Sequence, residues 1–223
     1  LVTINNLFAN VDDLASFTEG LDIILDEDGV VVIETSYLLD MINNMIFDYI
    51  YHEHLSYFSI LPLIEFFNQY DMRLINLQRT STKGGSLRYY WARNKSRWTV
   101  DTCVNYLIEE ERIANISLKT FEDFQEKINL VGNQLLGFLK THRGQKIVGY
   151  GASATSTTLI SHFQLNYYFT YLVDDNPDKI GTYSPGYHLP VFSSKRLIED
   201  KPDIIVILAW RFEEEILKKL EFF

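Results

Sequence analysis

Tyr51, His52, Glu53 and His54 stand in succession within Ile50-Tyr51-His52-Glu53-His54-Leu55-Ser56-Tyr57-Phe58-Ser59. A phenol, two imidazoles and a carboxylate thus occupy adjacent positions, and these are the groups that proton-transfer chemistry uses. An imidazole titrates at about 6.5 and can take up a proton at neutral pH. A neighbouring carboxylate can orient it and stabilise its charged form. The run therefore reads as a general-base site. Two other readings stand beside it. Aromatic and histidine residues also serve as half-buried strand or loop positions, and an extended backbone would set His52 and His54 on one face with Glu53 on the other, a geometry open to a metal ion. No third ligand follows at a recognisable metal spacing.

The elements that must position this run follow from the hydrophobic pattern. Asp12 and Asp13 can cap a helix whose apolar face is Leu14, Phe17, Leu21, Ile24 and Leu25, and Asp28-Gly29 ends it. Residues 30–34 form a short apolar run of the kind buried on both faces of a parallel sheet. A second helix is expected over 37–42, and Pro62 suits the first turn of a third, with Leu63, Ile64, Phe66 and Phe67 on its apolar side. Residues 73–78 and 86–92 read as an antiparallel hairpin around Lys83-Gly84-Gly85, with a loop longer than the shortest turns. Between 100 and 142 the spacing is helical and rich in charge, which predicts two helices joining two α/β units.

The second unit begins at Lys146. Ile147-Val148-Gly149-Tyr150-Gly151 is a strand running into a glycine turn, followed by a Ser/Thr-rich helix over 152–163. Such a turn lets a ligand approach backbone N–H groups at a helix N-terminus, although it can equally be a tight turn with no ligand. Tyr171-Leu172-Val173-Asp174-Asp175 gives a strand that ends in acids, where a nucleotide-binding unit puts a carboxylate near a ribose. Residues 204–210 predict another buried strand, and 212–220 a helix with its acids first and its lysines last, as the helix dipole prefers.

Composition bounds the function. With 30 acidic against 20 basic residues the net charge is -10, which argues against nucleic acid or an anionic membrane as a partner, since both need a basic surface. A single cysteine, Cys103, excludes an intrachain disulfide and fits a reducing, cytoplasmic setting. No apolar run reaches the roughly 18 residues of a membrane span. The chain opens within a strand-like run, Leu1-Val2-Thr3-Ile4, and closes on Phe222-Phe223 after its last helix, so both ends have the look of cuts.

Several of these stretches, in order, resemble one family. They are Asn5-Asn6-Leu7-Phe8-Ala9-Asn10-Val11-Asp12-Asp13-Leu14, Tyr51-His52-Glu53-His54, Lys83-Gly84-Gly85-Ser86-Leu87-Arg88, Gly149-Tyr150-Gly151-Ala152 and Val173-Asp174-Asp175-Asn176-Pro177. Together with Pro185-Gly186-Tyr187-His188-Leu189-Pro190-Val191 and Ile207-Leu208-Ala209-Trp210, they are similar to the S-adenosylmethionine-dependent C-methyltransferases that act on nucleotide-linked deoxy-keto sugars. The resemblance covers nearly the whole chain, and the ordered set is far more specific than any one motif.

What the resemblance implies is an α/β chain in three parts. Residues 1–97 would be the C-terminal half of a class I methyltransferase sheet, 98–143 a helical connector, and 144–223 a second, Rossmann-like α/β domain. The zinc-binding domain of the family and its glycine-rich donor loop would lie before Leu1, so zinc is expected only there, no metal is expected in this chain, and the chain alone is expected to be inactive. The resemblance implies that Tyr51, Glu53 and His54 are catalytic. It further implies that Asn5, Asn6 and Phe8 touch the S-adenosylmethionine of the full-length parent, and that Lys83, Gly84, Arg88, Gly149, Tyr150 and Gly151 touch a nucleotide-linked keto sugar. Asn10 departs from a histidine carried by some sugar-modifying members. A binding module for a nucleotide sugar or a protein, without chemistry, is the alternative. A nicotinamide-dependent oxidoreductase ranks last, because the third glycine of that fingerprint is missing.

Overall fold

Two separate four-stranded sheets organise the chain in the computed structural model, which describes residues 1–221. Phe222 and Phe223, expected to trail the last helix, lie outside the described residues. The first unit comprises Leu1–Phe47 and His52–Glu126, and the second Asp48–Tyr51 and Lys127–Phe223. Among the described residues, no helix is long and apolar enough to cross a membrane.

In the first unit β1 (Val2–Asn5) and β2 (Val30–Ser36) run parallel and are joined through α1 (Leu14–Ile24). Asp13 caps that helix by accepting the Ser16 N–H at 3.0 Å. The helix stops at Ile24, whose side chain is 65% exposed, so the inner face expected to include it ends at Leu21 and resumes at Leu25 beyond the helix. After α2 (Leu38–Asn43) and α3 (Ile60–Asn68), β3 (Met72–Thr80) and β4 (Ser86–Arg93) form the hairpin, giving the order β1-β2-β4-β3 with β4 antiparallel to both neighbours.

Side chains alternate across this sheet as strand geometry requires. Val31, Ile33, Leu87, Tyr89 and Trp91 are fully buried beneath α1, α3 and α4 (Thr102–Ala114), and Phe67 stacks on Trp91 with ring centroids 4.2 Å apart. Pro62 sits in the first turn of α3, where its missing N–H costs nothing. The two N–H groups ahead of it are taken by Glu111 of α4, whose buried carboxylate accepts Ile60 N–H at 2.7 Å and Leu61 N–H at 2.9 Å and also receives the Tyr37 hydroxyl at 2.9 Å. α4 ends where Asn115 adopts a left-handed φ of 47°, and α5 (Leu118–Thr141) follows. The 98–143 region therefore divides: α4 packs into the first unit's core, and the boundary between units falls within α5.

The second unit repeats a strand-helix pattern with every strand parallel. β5 (Ile147–Tyr150), α6 (Ala154–Phe163), β6 (Phe169–Asp174), β7 (Val191–Ser193), α7 (Arg196–Asp200), β8 (Ile204–Ile207) and α8 (Glu213–Leu220) give the order β7-β6-β5-β8. The strand order reverses at β5, the switch point where doubly wound sheets open a crevice at their C-terminal ends. Residues 204–210 were expected to form one buried strand. Instead β8 is an edge strand, half-buried at all its positions, and the chain leaves it for a 3-10 turn at Trp210–Phe212.

Candidate functional site

At the C-terminal ends of β1 and β2 the first unit gathers several of the residues singled out above. β2 ends at Ser36, which pairs with Ser86 at the start of the antiparallel β4, so the Thr82–Gly84 turn and Gly85 lie at that same edge. The loop is held from several sides. Asn44 donates its side-chain amide to Gly84 O at 2.9 Å, Gly85 O accepts the Tyr37 N–H at 3.3 Å, and the Thr82 hydroxyl bonds Glu34 Oε1 at 3.2 Å. Gly85 has φ +140°, and a Cβ there would lie 2.6 Å from Asp40 Cβ, so only glycine fits this approach. Lys83 rides on the loop with a left-handed φ of 55°. Burial lowers its ammonium pKa, against the opposing influence of the Glu34 and Glu53 carboxylates. Lys83 and Glu53 are thus electrostatic neighbours in one unit.

The acid/base run itself is not extended. His52 and Glu53 lie in a turn and the chain from His54 to Tyr57 is irregular, so the alternation that would put both imidazoles on one strand face does not apply. The chain after the turn is tied to the 3-10 turn Phe8–Asn10 that follows β1, since Ala9 O accepts the N–H groups of Leu55 at 2.8 Å and Ser56 at 3.2 Å, and Phe58 bridges to Tyr37. His54 is half-buried and meets the Tyr57 ring edge-on at 6.1 Å, while His52 and Glu53 are exposed. Tyr51 groups with the second unit, where its N–H bonds Tyr49 O at 3.1 Å. Among the described residues, no group of three or more His, Cys, Asp or Glu could hold a metal ion.

The remaining expected contacts sort by burial. Asn5, the last residue of β1, and Asn6 after it are exposed, Asn6 with a left-handed φ of 53°, so their amides remain presentable to a polar ligand. Phe8 is corrected to a core residue: it is 0% exposed and packs against Phe17, Phe58 and Phe67, because a ring placed in that aromatic cluster is shielded from any ligand. Arg88 forms a short ion pair with Glu34 in a polar row across the sheet, Asn5, Glu34, Arg88 and Gln78, on the face opposite the helices. Asn5, Arg88 and Tyr90 line an open hollow of about 760 Å³ there.

In the second unit the glycine turn is filled by its own chain. A Cβ on Gly149 would lie 2.6 Å from Leu172 Cδ2 and 2.7 Å from Leu208 Cδ1, and one on Gly151 would lie 2.8 Å from Ala209 Cβ. Asp174 accepts the N–H groups of Ala152 at 2.7 Å and Asn176 at 2.9 Å and pairs with Lys179 at 3.3 Å. Asp175 takes the Tyr150 hydroxyl at 2.9 Å, the Ser194 hydroxyl at 2.6 Å and Lys219 at 2.5 Å. Burial, and then the hydrogen bond to Asp175, push the Tyr150 phenol up to about 12. Glycine spacing and a strand-end acid thus have structural employment here that spacing alone does not reveal.

Residues 81–223 match the C-methyltransferase C-terminal domain family. The chain belongs to that family. It is also similar to C-methyltransferase NovU of Streptomyces niveus, 28% identical over 214 residues that cover 94% of this chain and 51% of the relative. The chain spans about half the length of that curated relative. The matched stretch includes Lys83, Gly84, Arg88 and residues 127–223 of the second unit, whereas Tyr51 to His54 lie ahead of it. Sequence reasoning missed Glu34, Asp40 and Asn44, which fix the Lys83 loop from distant positions; the paired glycines at 84 and 85 were the one signal that another group must approach closely.

Proposed function

We propose that this chain carries the acid/base centre of an S-adenosylmethionine-dependent C-methyltransferase that methylates the carbon beside a ketone on a nucleotide-linked deoxy sugar. The observation that carries the reading is that, within the first unit, the segment around His52–His54 is tied through Leu55 and Ser56 to Ala9 O and keeps Glu53 within electrostatic reach of the half-buried Lys83. Family membership and the printed name of the Streptomyces relative support the class of reaction.

In this reading His54 takes the proton from the carbon beside the ketone, and the electron pair left behind delocalises onto the ketone oxygen as an enolate. Glu53 stabilises the imidazolium that forms, and the Tyr51 hydroxyl donates a hydrogen bond to the developing oxyanion. The Lys83 cation adds favourable charge close to Glu53 and the turn. S-adenosylmethionine would supply an electrophilic methyl group, and the exposed amides of Asn5 and Asn6 are the residues of this chain suited to hold its polar atoms; the buried Phe8 is not. The sugar's nucleotide would be met by Lys83, Gly84 and Arg88 of the first unit.

The test is product analysis. The full-length protein carrying this chain, given S-adenosylmethionine and a nucleotide-linked keto sugar, should yield a new carbon-bound methyl group beside the ketone, read by NMR. A bound sugar recovered unmethylated would support the binding-module alternative, and a methyl group on oxygen would overturn the enolate chemistry.

A further inference from the structure

Asp48 is the most deeply buried acid of the second unit. Its residue is 0% exposed, and a carboxylate so placed is costly unless it is paired and hydrogen-bonded. Arg211 supplies the pair: its Nη1 reaches Asp48 Oδ1 at 2.8 Å and Oδ2 at 2.9 Å, and the neighbouring Trp210 donates its indole N–H to Oδ2 at 3.1 Å. The same guanidinium lies over the Tyr49 ring, 4.5 Å from its centroid, and over the Trp210 ring at 4.9 Å. One cation therefore grips two successive residues of a 3-10 turn, Phe47–Tyr49, from a turn 163 positions later in the chain.

Tyr51 follows that gripped turn after a single residue, Ile50. Its N–H donates to Tyr49 O at 3.1 Å, and the two phenol rings stand 6.0 Å apart. Asp48, Tyr49, Tyr51, Trp210 and Arg211 all belong to the second unit, so their geometry is a property of that unit alone. We propose that Arg211 is a positioning residue for the reaction, acting through Asp48 and Tyr49 to aim the Tyr51 hydroxyl; this rests on the acid/base reading given above. A buried ion pair is a poor device for stability, since well-packed apolar residues often do as well, and its best-attested use is to fix one arrangement among several. Here the cation, in contact with two rings, fixes both the depth and the orientation of the turn that precedes Tyr51. Arg211 touches no reacting atom in this scheme.

Two readouts test it. In amide hydrogen exchange on this chain, Arg211→Gln should lower protection of the Tyr51 N–H by about tenfold or more while the amides of β5 and β6 keep theirs, because local opening need not involve the sheet. In the full-length protein, Arg211→Gln should lower kcat for abstraction of the sugar proton by about 10²-fold, the scale of a misplaced group, with KM for the keto sugar unchanged. Combined with Tyr51→Phe, it should add nothing to that variant's own loss. Should Arg211→Gln fail to fold, the neutral pair Asp48→Asn with Arg211→Gln removes both charges, keeps an amide hydrogen bond, and carries the same two readouts. Unchanged Tyr51 protection, or losses that multiply with Tyr51→Phe, would overturn the proposal. If Tyr51→Phe and His54→Ala leave the rate intact, the acid/base reading falls instead, and Arg211 loses its role in the reaction even where the amide is deprotected.

Discussion

The C-terminal edge of the second unit's sheet is closed by its own strands and turns, whereas the loop at that of the first is tied by residues from other elements. At β5 and β6 the strand-end acids Asp174 and Asp175 spend their oxygens on main-chain N–H groups, hydroxyls and lysines of the same unit, and the space beside Gly149 and Gly151 is filled by Leu172, Leu208 and Ala209. At β1 and β2, Asn44 bonds the backbone of the Lys83 loop, Glu34 takes the Thr82 hydroxyl, Asp40 packs against Gly85, and the lysine lies half-buried. Similar sequence grammar, a strand followed by a polar turn, thus yields a packed edge in one unit and a chemically equipped one in the other. The lesson is that a glycine turn announces close approach without saying whether the approaching group is a ligand or a leucine.

The largest effect that could break this contrast is on rate. His54→Ala in the full-length protein should slow methyl transfer by about 10²-fold to 10⁴-fold, the usual range for loss of a general base. Tyr150→Phe at the second edge should cost far less. Comparable losses at the two positions, measured in the same steady-state assay, would erase the distinction between the edges.

Next comes stability of the first unit. Glu111→Ala removes the acceptor for two helix N–H groups and a buried hydroxyl, and should destabilise the unit by about 3 kcal/mol in urea unfolding. Gly151→Ala should follow at about 2 kcal/mol, because φ +112° and the approach of Ala209 both oppose a Cβ. Were Gly151→Ala neutral for folding but damaging to sugar binding, the second edge would have to be regarded as a ligand cradle after all.

The smallest expected effect is on pH dependence, and it differs in sign between the edges. Burial alone would raise the Asp175 carboxyl, but hydrogen bonds from Lys219, Ser194 and Tyr150 together hold it below the usual carboxylate range. Its contribution is present above the unfolded value of about 3.9 and is lost as pH falls through the depressed folded value. Asp40 in the first unit is raised, first by burial, with Arg79 opposing and Glu110 adding. Its contribution is complete below the unfolded value and declines as pH rises through the folded one. Thermal unfolding of Lys219→Met below pH 5 should therefore be less acid-sensitive than the parent, and Asp40→Asn should flatten the opposite slope.

Much of the fold was legible because its signals are local. Asp13 as a cap, Pro62 in a first turn and the apolar strand at β2 each depend on a few neighbouring residues, and the structure shows all of them. The mixed α/β architecture followed from their order. What stayed hidden depends on distance in sequence: Glu111 capping a helix that starts 51 positions earlier, or Arg211 gripping Asp48 from 163 positions away. The turn at His52 and Glu53, for which an extended backbone was one alternative, stayed hidden for the same reason, since the bonds to Ala9 O that shape the chain after it come from another element. Residue types suited to chemistry could be found from sequence, while the distant groups that bond their surroundings could not.

The central claim, that His54 is the base, is tested most directly by solvent deuterium exchange at the sugar carbon beside the ketone, followed by NMR in the full-length protein without the methyl donor. The account predicts exchange in the parent and a loss of about 10²-fold or more in His54→Ala, with sugar binding retained. Exchange at the parental rate in His54→Ala would contradict it and return the Tyr51 to His54 run to a structural part.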